Sequence, residues 1–157
     1  MPEVNSLLTS RYADQSDLAT VLELYMAALA EIRDYIETPD LERCADTVFS
    51  AWIYAPCVLL ESAGKIIGFA GLKTYRPTHS LQTVLTEYMF YIMPEHRSVK
   101  AARMLSKAVQ AVADKFKLPL RMTHMVFDTP IAVKEKFLRR WGYDIAALSV
   151  IYKGGEK

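Results

Sequence analysis

A basic turn between a strong strand and a helix is the part of this sequence whose residues could do chemistry. The apolar run at 83–93 predicts a strand that Pro94 ends, and apolar spacing predicts a helix over Val99–Phe116. The first turn of a helix leaves backbone N–H groups unpaired, and the helix dipole adds partial positive charge there. Arg97, Lys100 and Arg103 add cations around the same turn. The pattern favours a phosphate site, and the alternative is an ordinary connection with a solvated basic edge.

The elements that position this turn follow from apolar periodicity and turn residues. Helical spacing predicts a first helix at 18–32, capped by Asp14 or Ser16, and a second that Thr38 and Pro39 open. The remaining predicted helices lie at 99–116 and 130–141, and predicted strands at 8–13, 57–61, 65–74, 83–93, 118–127 and 146–152. The order β, α, α, β, β, β, α, β, α, β predicts an α/β (α+β) fold with a mixed sheet covered by helices.

The bulk properties narrow the class of protein. The length of 157 residues favours one domain over 1–157, and the net charge of +1 argues against nucleic acid or an anionic membrane as partner. Cys44 and Cys57 suggest neither a disulfide framework nor, with the three histidines, a metal site. The first ten residues are not typical of a secretory signal, and no run approaches the roughly 18 apolar residues of a membrane span. A cytoplasmic protein is expected.

The basic turn resembles motif A of the GNAT acetyltransferases, in which a strand ends in Val-x-Pro before Q/R-x-x-G-x-G/A. Met93-Pro94-Glu95-His96-Arg97 matches the approach, Arg97 fits the first motif position, and Ala102 fits the sixth. Lys100 stands where the family usually has glycine, and a lysine there either contacts the pyrophosphate or crowds it. Three further segments resemble the family in the expected order: the opening Arg11-Tyr12-Ala13 with Asp17, the hairpin at 64–70 and the closing segment at 137–143.

The resemblance covers nearly the whole chain and implies a GNAT fold. That fold has a mixed, mostly antiparallel central sheet of six to seven strands flanked by about four helices. It also implies acetyl-CoA as co-substrate, with the pyrophosphate held by backbone N–H groups at 98–103. The implied cofactor-binding residues are Tyr91, Ile92, Met93, Arg97, Ser98, Val99, Lys100, Ala101, Ala102 and Arg103.

The catalytic residues implied by the resemblance are Glu87, Ile92 and Tyr143. Glu87 is the candidate base, because apolar neighbours raise the pKa of a carboxylate and some histone-type GNAT enzymes have a glutamate at this place. The backbone amide of Ile92 is the candidate donor to the acetyl carbonyl. Leu138 occupies the position of the family's general-acid tyrosine, so Tyr143, Tyr152, Tyr91 or water remain open for that role.

The expected function is transfer of an acetyl group to the primary amine of a small-molecule or peptide acceptor. Acidic residues in and around the second helix mildly favour a cationic amine: Asp34, Glu37, Asp40 and Glu42. The alternatives are a CoA-binding protein without catalysis and an interaction module on the same scaffold, with a homodimer left open.

Overall fold

The computed structural model describes residues 7–32, 38–122, 125–126 and 131–144. Packing divides the chain into two units, Met1–Phe127 and Asp128–Lys157. The first unit contains the sheet and three helices, and the second contains α4 (Ile131–Arg140). The strand predicted at 146–152 lies outside the described residues. A single domain over 1–157 stays a prediction.

A six-stranded sheet forms the centre of the first unit. Its strands are β1 (Leu8–Tyr12), β2 (Cys57–Ser62), β3 (Lys65–Tyr75), β4 (Val84–Ile92), β5 (Leu120–Arg121) and β6 (Met125–Val126). The first four run antiparallel in chain order, and β5 and β6 both pair parallel to β4. The predicted fold class and the mixed, mostly antiparallel sheet are therefore confirmed.

The two short strands β5 and β6 have the same register against β4. Leu120 pairs with Leu85, and Met125 pairs with Phe90, so each partner lies 35 positions further along the chain. The single strand predicted at 118–127 is thus present as two paired segments that keep one alignment. Pairing with β4 continues in the same register as far as Tyr91 and Val126.

Three helices flank the sheet: α1 (Leu18–Glu31), α2 (Leu41–Tyr54) and α3 (Val99–Phe116). Asp14 caps the short 3-10 turn at Gln15–Asp17 that leads into α1. The prediction that Pro39 occupies the first position of the second helix was wrong. Asp40 is the N-cap instead. Its backbone is extended and its side chain accepts a hydrogen bond from Arg43 N at 2.9 Å, so α2 begins at the next residue, Leu41.

The helices lie on opposite faces of the sheet. α1 and α2 cover one face in a cluster that includes Phe69, Tyr88, Met89 and Tyr91. The buried stripe of α3 packs on the other face, mainly over β1 and β2. Strand alternation therefore decides which side chains of β4 face which helices.

A bulge at Tyr88 shifts that alternation half-way along β4. Gly71 pairs with Met89 while the next residue, Leu72, pairs with Glu87, so Tyr88 is an extra residue in β4. A Cβ on Gly71 would lie 2.0 Å from the Tyr88 ring, so the glycine gives the ring its place on the α1 and α2 face. Burial of the Tyr88 hydroxyl raises its pKa well above the ordinary value.

Candidate active site

The start of α3 carries backbone donors that no group in the described part of the chain takes up. Ser98 is the N-cap, and its Oγ accepts from Ala101 N at 3.1 Å. The first bond of the helix ladder runs from Ala102 N to Ser98 O at 3.0 Å. The N–H groups of Val99 and Lys100 precede that ladder, so they are available to an anion at the positive end of the helix dipole.

Two cations line this turn on its solvent side. Lys100 and Arg103 are both exposed, and residues three apart on a helix are neighbours. Neither has an ion pair in the part of the chain that the structure describes. Their long side chains can therefore reach toward a phosphate near the Val99 and Lys100 amides.

The side chains of Ala101 and Ala102, two of the predicted cofactor-binding residues, do not face a ligand at this turn. Their exposed fractions are 1% and 8%, so both methyl groups pack into the protein interior. Position in the helix explains this, because they fall on the buried stripe that continues through Leu105. They can contribute to an anion site through the backbone only.

The guanidinium of Arg97 turns away from the helix start and into the protein. Its Nε donates to the backbone oxygen of Ile92 at 2.8 Å, and its Nη2 lies 2.6 Å from Glu31 Oε2 on the last residue of α1. It also stands 5.6 Å from the centre of the Tyr91 ring. The side chain predicted to add charge for a phosphate is therefore engaged with the ends of β4 and α1.

The end of β4 presents one backbone amide away from β3. Met93 N donates to Ile67 O at 2.9 Å, which closes the ladder with β3. Donors alternate between the two edges of a strand, so the Ile92 amide points to the opposite edge, where the parallel pair Tyr91–Val126 makes it a ladder donor to β6. The predicted acetyl-carbonyl donor is therefore hydrogen-bonded within the sheet, and its catalytic role stays a prediction.

Gly68 allows the close backbone approach at this point. A Cβ there would lie 2.6 Å from Tyr91 O and 3.1 Å from Ile92 Cα. Those two atoms belong to the peptide unit that carries the Ile92 amide, so any larger residue would displace that donor. The sequence pattern did not predict this role, because Gly68 stood out only as part of the hairpin that resembles the family.

The sequence model of the Acetyltransferase (GNAT) family matches residues 19–142, more than half of the chain. The chain belongs to the GNAT acetyltransferase family. The predicted membership is confirmed, and the protein is an acetyltransferase. A search of curated protein sequences found no match to this chain.

Solved structures share the fold of this GNAT chain at low sequence identity. A probable acetyltransferase matches with a TM-score of 0.67 and 14% identity, over 95% of this chain and 98% of that one. AAC(6')-Iy in complex with the bisubstrate analogue CoA-S-monomethyl-acetylneamine matches with 0.63 and 16%, over 96% and 99%. The aminoglycoside acetyltransferase meta-AAC0020 from an uncultured soil metagenomic sample, in complex with trehalose, matches with 0.66 and 13%, over 99% and 100%.

Glu87 of this GNAT chain lies on β4, but its side chain is fully buried. It pairs with Leu72, which places it on the face opposite the α1 and α2 cluster. Because Tyr88 is an extra residue, the partners of Glu87 and Ile92 on β3 are four residues apart, so the two Cα atoms are separated by roughly 13 Å. Glu87 and Ile92 therefore lie on the same strand, and the Glu87 carboxylate has no access to solvent.

Of the three tyrosines considered for proton transfer, Tyr91 and Tyr143 lie within the described residues. Tyr91 donates its hydroxyl proton to Glu31 Oε1 at 2.8 Å, and burial together with that carboxylate raises the pKa of Tyr91 to about 12. The Tyr91 side chain is therefore a poor acid for a leaving thiolate. Tyr143 belongs to the unit Asp128–Lys157, where its backbone N–H bonds Leu138 O at 3.0 Å, and its role stays a prediction. Tyr152 lies outside the described residues.

Two further features bear on the class of this GNAT chain. No helix in the described ranges is long and apolar enough to cross a bilayer. Among those same residues, no group of three or more His, Cys, Asp or Glu side chains is arranged to hold a metal ion.

Proposed function

We propose that this protein is an acetyl-CoA-dependent N-acetyltransferase that acts on a primary amine. One observation carries the proposal. The two available amides of Val99 and Lys100, with two exposed cations beside them, begin seven residues after Ile92 at the end of β4. The helix start suits a diphosphate, and the strand end carries the amide that we propose for the carbonyl oxygen.

The pyrophosphate of CoA would be held by the start of α3. Val99 N and Lys100 N offer hydrogen bonds along the helix axis, and the Lys100 and Arg103 side chains offer charge. Lys100 replaces the glycine of the family motif, and its exposure favours contact with the phosphates over crowding. Acetyl-CoA supplies an acetyl group already activated as a thioester.

The Ile92 amide would stabilise the reaction at the carbonyl carbon once the binding of acetyl-CoA separates the end of β6 from β4 and releases that amide. The neutral amine nitrogen attacks that carbon and forms the C–N bond, while negative charge develops on the carbonyl oxygen. The C–S bond then breaks, and its electron pair leaves with sulfur as the thiolate of CoA. A donor fixed before the reaction lowers the barrier because it needs no rearrangement when the charge appears.

The amine must lose one proton for each acetyl group transferred. We propose Glu87 as the base, acting through a relay, because full burial of its carboxylate prevents direct contact with an amine in solution. The thiolate leaves readily and can take its proton from water. This assignment does not require the family's tyrosine, which is replaced by Leu138.

A cationic amine is the acceptor class that we propose. Asp40 and Glu42 at the start of α2 are exposed and would attract positive charge. A structural neighbour holds an acetylneamine-based bisubstrate analogue, and another neighbour, meta-AAC0020, holds sisomicin. These ligands support the choice of amines without fixing the compound.

Two measurements test the proposal in sequence. CoA should raise the melting temperature, since a ligand at about 100 times its dissociation constant adds about 2.7 kcal/mol to the free energy of unfolding. Pantetheine, which lacks the pyrophosphate, should give a much smaller shift at equal concentration. Release of free thiol from acetyl-CoA should then depend on an added amine. No thermal shift at millimolar CoA would contradict the proposal, and binding without turnover across a panel of amines would favour a CoA-binding protein.

A further inference from the structure

Arg97 occupies the first position of the motif that precedes the phosphate-binding turn, yet its side chain points elsewhere. We propose that Arg97 is a positioning residue that fixes the Ile92 peptide to the end of α1, and not a ligand of the cofactor phosphates. The inference rests on the proposed function, because it gives Arg97 a role in the same acetyl transfer.

The first support is that one peptide unit is held from both sides. The peptide joining Ile92 and Met93 donates its N–H to Ile67 O at 2.9 Å and accepts from Arg97 Nε at 2.8 Å. One contact comes from β3 and the other from a charged side chain beyond the strand. The Ile92 amide, one peptide earlier, is thereby fixed in direction at the last pair of the β3–β4 ladder.

The second support is that Glu31 is engaged through both carboxylate oxygens. Oε2 lies 2.6 Å from Arg97 Nη2, and Oε1 accepts the Tyr91 hydroxyl at 2.8 Å. The Tyr91 ring in turn packs beside the guanidinium. Three side chains from α1, β4 and the following turn thus form one closed cluster, which we call the Arg97 cluster: Glu31, Tyr91 and Arg97.

The third support is the contrast in exposure with the neighbouring cations. The Arg97 side chain is 11% exposed, whereas Lys100 and Arg103 are open to solvent. Turning Arg97 toward a phosphate would break two charge-assisted hydrogen bonds and leave the Glu31 carboxylate without its cation. Lys100 and Arg103 can approach the same phosphate without breaking an ion pair within the described ranges.

These contacts predict which kinetic constant each substitution changes. Loss of the Arg97 cluster should misplace the Ile92 amide, and a displacement of about 1 Å in a catalytic group can cost on the order of 100-fold in rate. We therefore expect Arg97→Met to lower kcat by about 10- to 100-fold while the dissociation constant for CoA changes by less than about twofold. Lys100→Met, the matched change at a phosphate-facing cation, should instead raise that dissociation constant.

A second variant covers the case in which Arg97→Met fails to fold. Glu31→Gln keeps the size of the side chain and removes its charge, so it should lower kcat in the same direction with CoA affinity again retained. Combined with Arg97→Met, it should cost less than the sum of the two single effects, because both changes act on one cluster. Additive losses would contradict a shared role.

The experiment measures kcat, KM for acetyl-CoA and calorimetric CoA affinity for the wild-type chain and these four variants. A fall in kcat at unchanged CoA affinity in Arg97→Met and Glu31→Gln supports the inference. A rise in the CoA dissociation constant in Arg97→Met, with kcat unchanged at saturation, overturns it and makes Arg97 a phosphate ligand. A wild-type chain that neither binds CoA nor releases thiol overturns the proposed function itself.

Discussion

The helix α1 is tied at both ends by an arginine from outside the helix, and the two ties differ in their surroundings. Arg11 on β1 contacts Asp17, just before α1, at 2.6 Å, and Glu61 on β2 at 2.8 Å. Arg97 contacts Glu31, the last residue of α1, and the backbone of Ile92. The Arg11 side chain is 39% exposed, against 11% for Arg97.

The same chemistry therefore serves different purposes at the two ends. The two partners of Arg11 named above are side chains, one at the entry to α1 and one on β2, and Arg11 itself lies on β1, three strands away from β4 in the sheet. Arg97 instead holds the backbone beside the proposed carbonyl donor. We expect changes near Arg11 to alter stability alone, and changes near Arg97 to alter the rate.

The largest expected effect tests whether the end of β4 supports the reaction alone or together with the buried Glu87 carboxylate earlier in the same strand. Glu87→Gln keeps the shape and removes the basicity of the side chain. Because general-base catalysis is worth about 10²- to 10⁴-fold, kcat should fall by at least about 100-fold at pH 7. Higher pH should restore part of the rate, since more amine is then neutral. Full activity of the variant at pH 7 would show that Glu87 is not the base and that the end of β4 supports the reaction without it.

The next effect concerns the glycine that gives the Ile92 peptide its place. Gly68→Ala puts a methyl group 2.6 Å from Tyr91 O, so the peptide must move and kcat should fall by about 10- to 100-fold. Gly64→Ala is the matched control, because that turn has φ of +76° but no atom within 4 Å of a new Cβ. The control should lower the melting temperature slightly and leave kcat within about twofold. Equal kcat in the two variants would show that Gly68 does not position the backbone of the acetyl site.

A smaller effect is expected at the exposed cations of α3. Lys100→Ala should raise KM for acetyl-CoA several-fold at low salt, and the difference from the wild-type chain should shrink as salt screens the exposed charge. Lys100→Gly distinguishes contact from crowding, since relief of crowding would lower KM below that of the wild-type chain. Identical KM values in all three proteins would show that Lys100 faces solvent.

The smallest expected effect on activity lies at the other end of α1. The hydrogen bonds from Arg11 hold the pKa of Asp17 at about 2, below its ordinary 3.8. The charged carboxylate therefore stabilises the folded state above pH 4, and this contribution is lost as the pH falls from about 4 to about 2. Asp17→Asn should lower the free energy of unfolding by about 1 to 2 kcal/mol at pH 7, a figure discounted because solvent reaches Arg11.

The same variant tests the functional difference between the two ends. Its deficit against the wild-type chain, followed by thermal unfolding, should disappear near pH 2, and kcat at pH 7 should stay within about twofold. A marked loss of kcat at undiminished stability would mean that the Arg11 end also supports the reaction.

Local patterns predicted much of the fold. The apolar stripe and the polar turn before it set α3 at Val99–Phe116, and Ala63-Gly64 marked the turn between β2 and β3, where both residues have positive φ. Such features depend on neighbours in sequence. The start of α2 was misplaced because the capping strength of Asp40 was underrated against the proline before it.

The site was harder to predict because its contacts join distant parts of the chain. Arg97 and Glu31 are 66 residues apart, and nothing near either residue indicates that they meet. The basic turn alone suggested that Arg97 faces a phosphate, whereas a partly buried carboxylate and a strand carbonyl take its guanidinium. The strand end near Met93 and the helix start at Val99 were predicted because such boundaries have local signals, whereas the roles of Ile92 and Ser98 rested on the family resemblance and stay predictions.

The extra residue at Tyr88 gives β4 two halves of opposite phase. A side-chain pattern written for Val84 to Glu87 cannot be continued unchanged through Met89 to Ile92, because the faces exchange at the bulge. Deleting the extra residue would leave Glu87 and Met89 opposite Leu72 and Gly71 in a regular ladder, so the pairing of Ile92 with Gly68 would stay while the Tyr88 ring would be lost from the α1 and α2 face. Deleting any residue between Met89 and Ile92 with the bulge kept would instead shift the strand end against Gly68, and any transfer of this strand into another scaffold must carry the bulge and Gly71 with it.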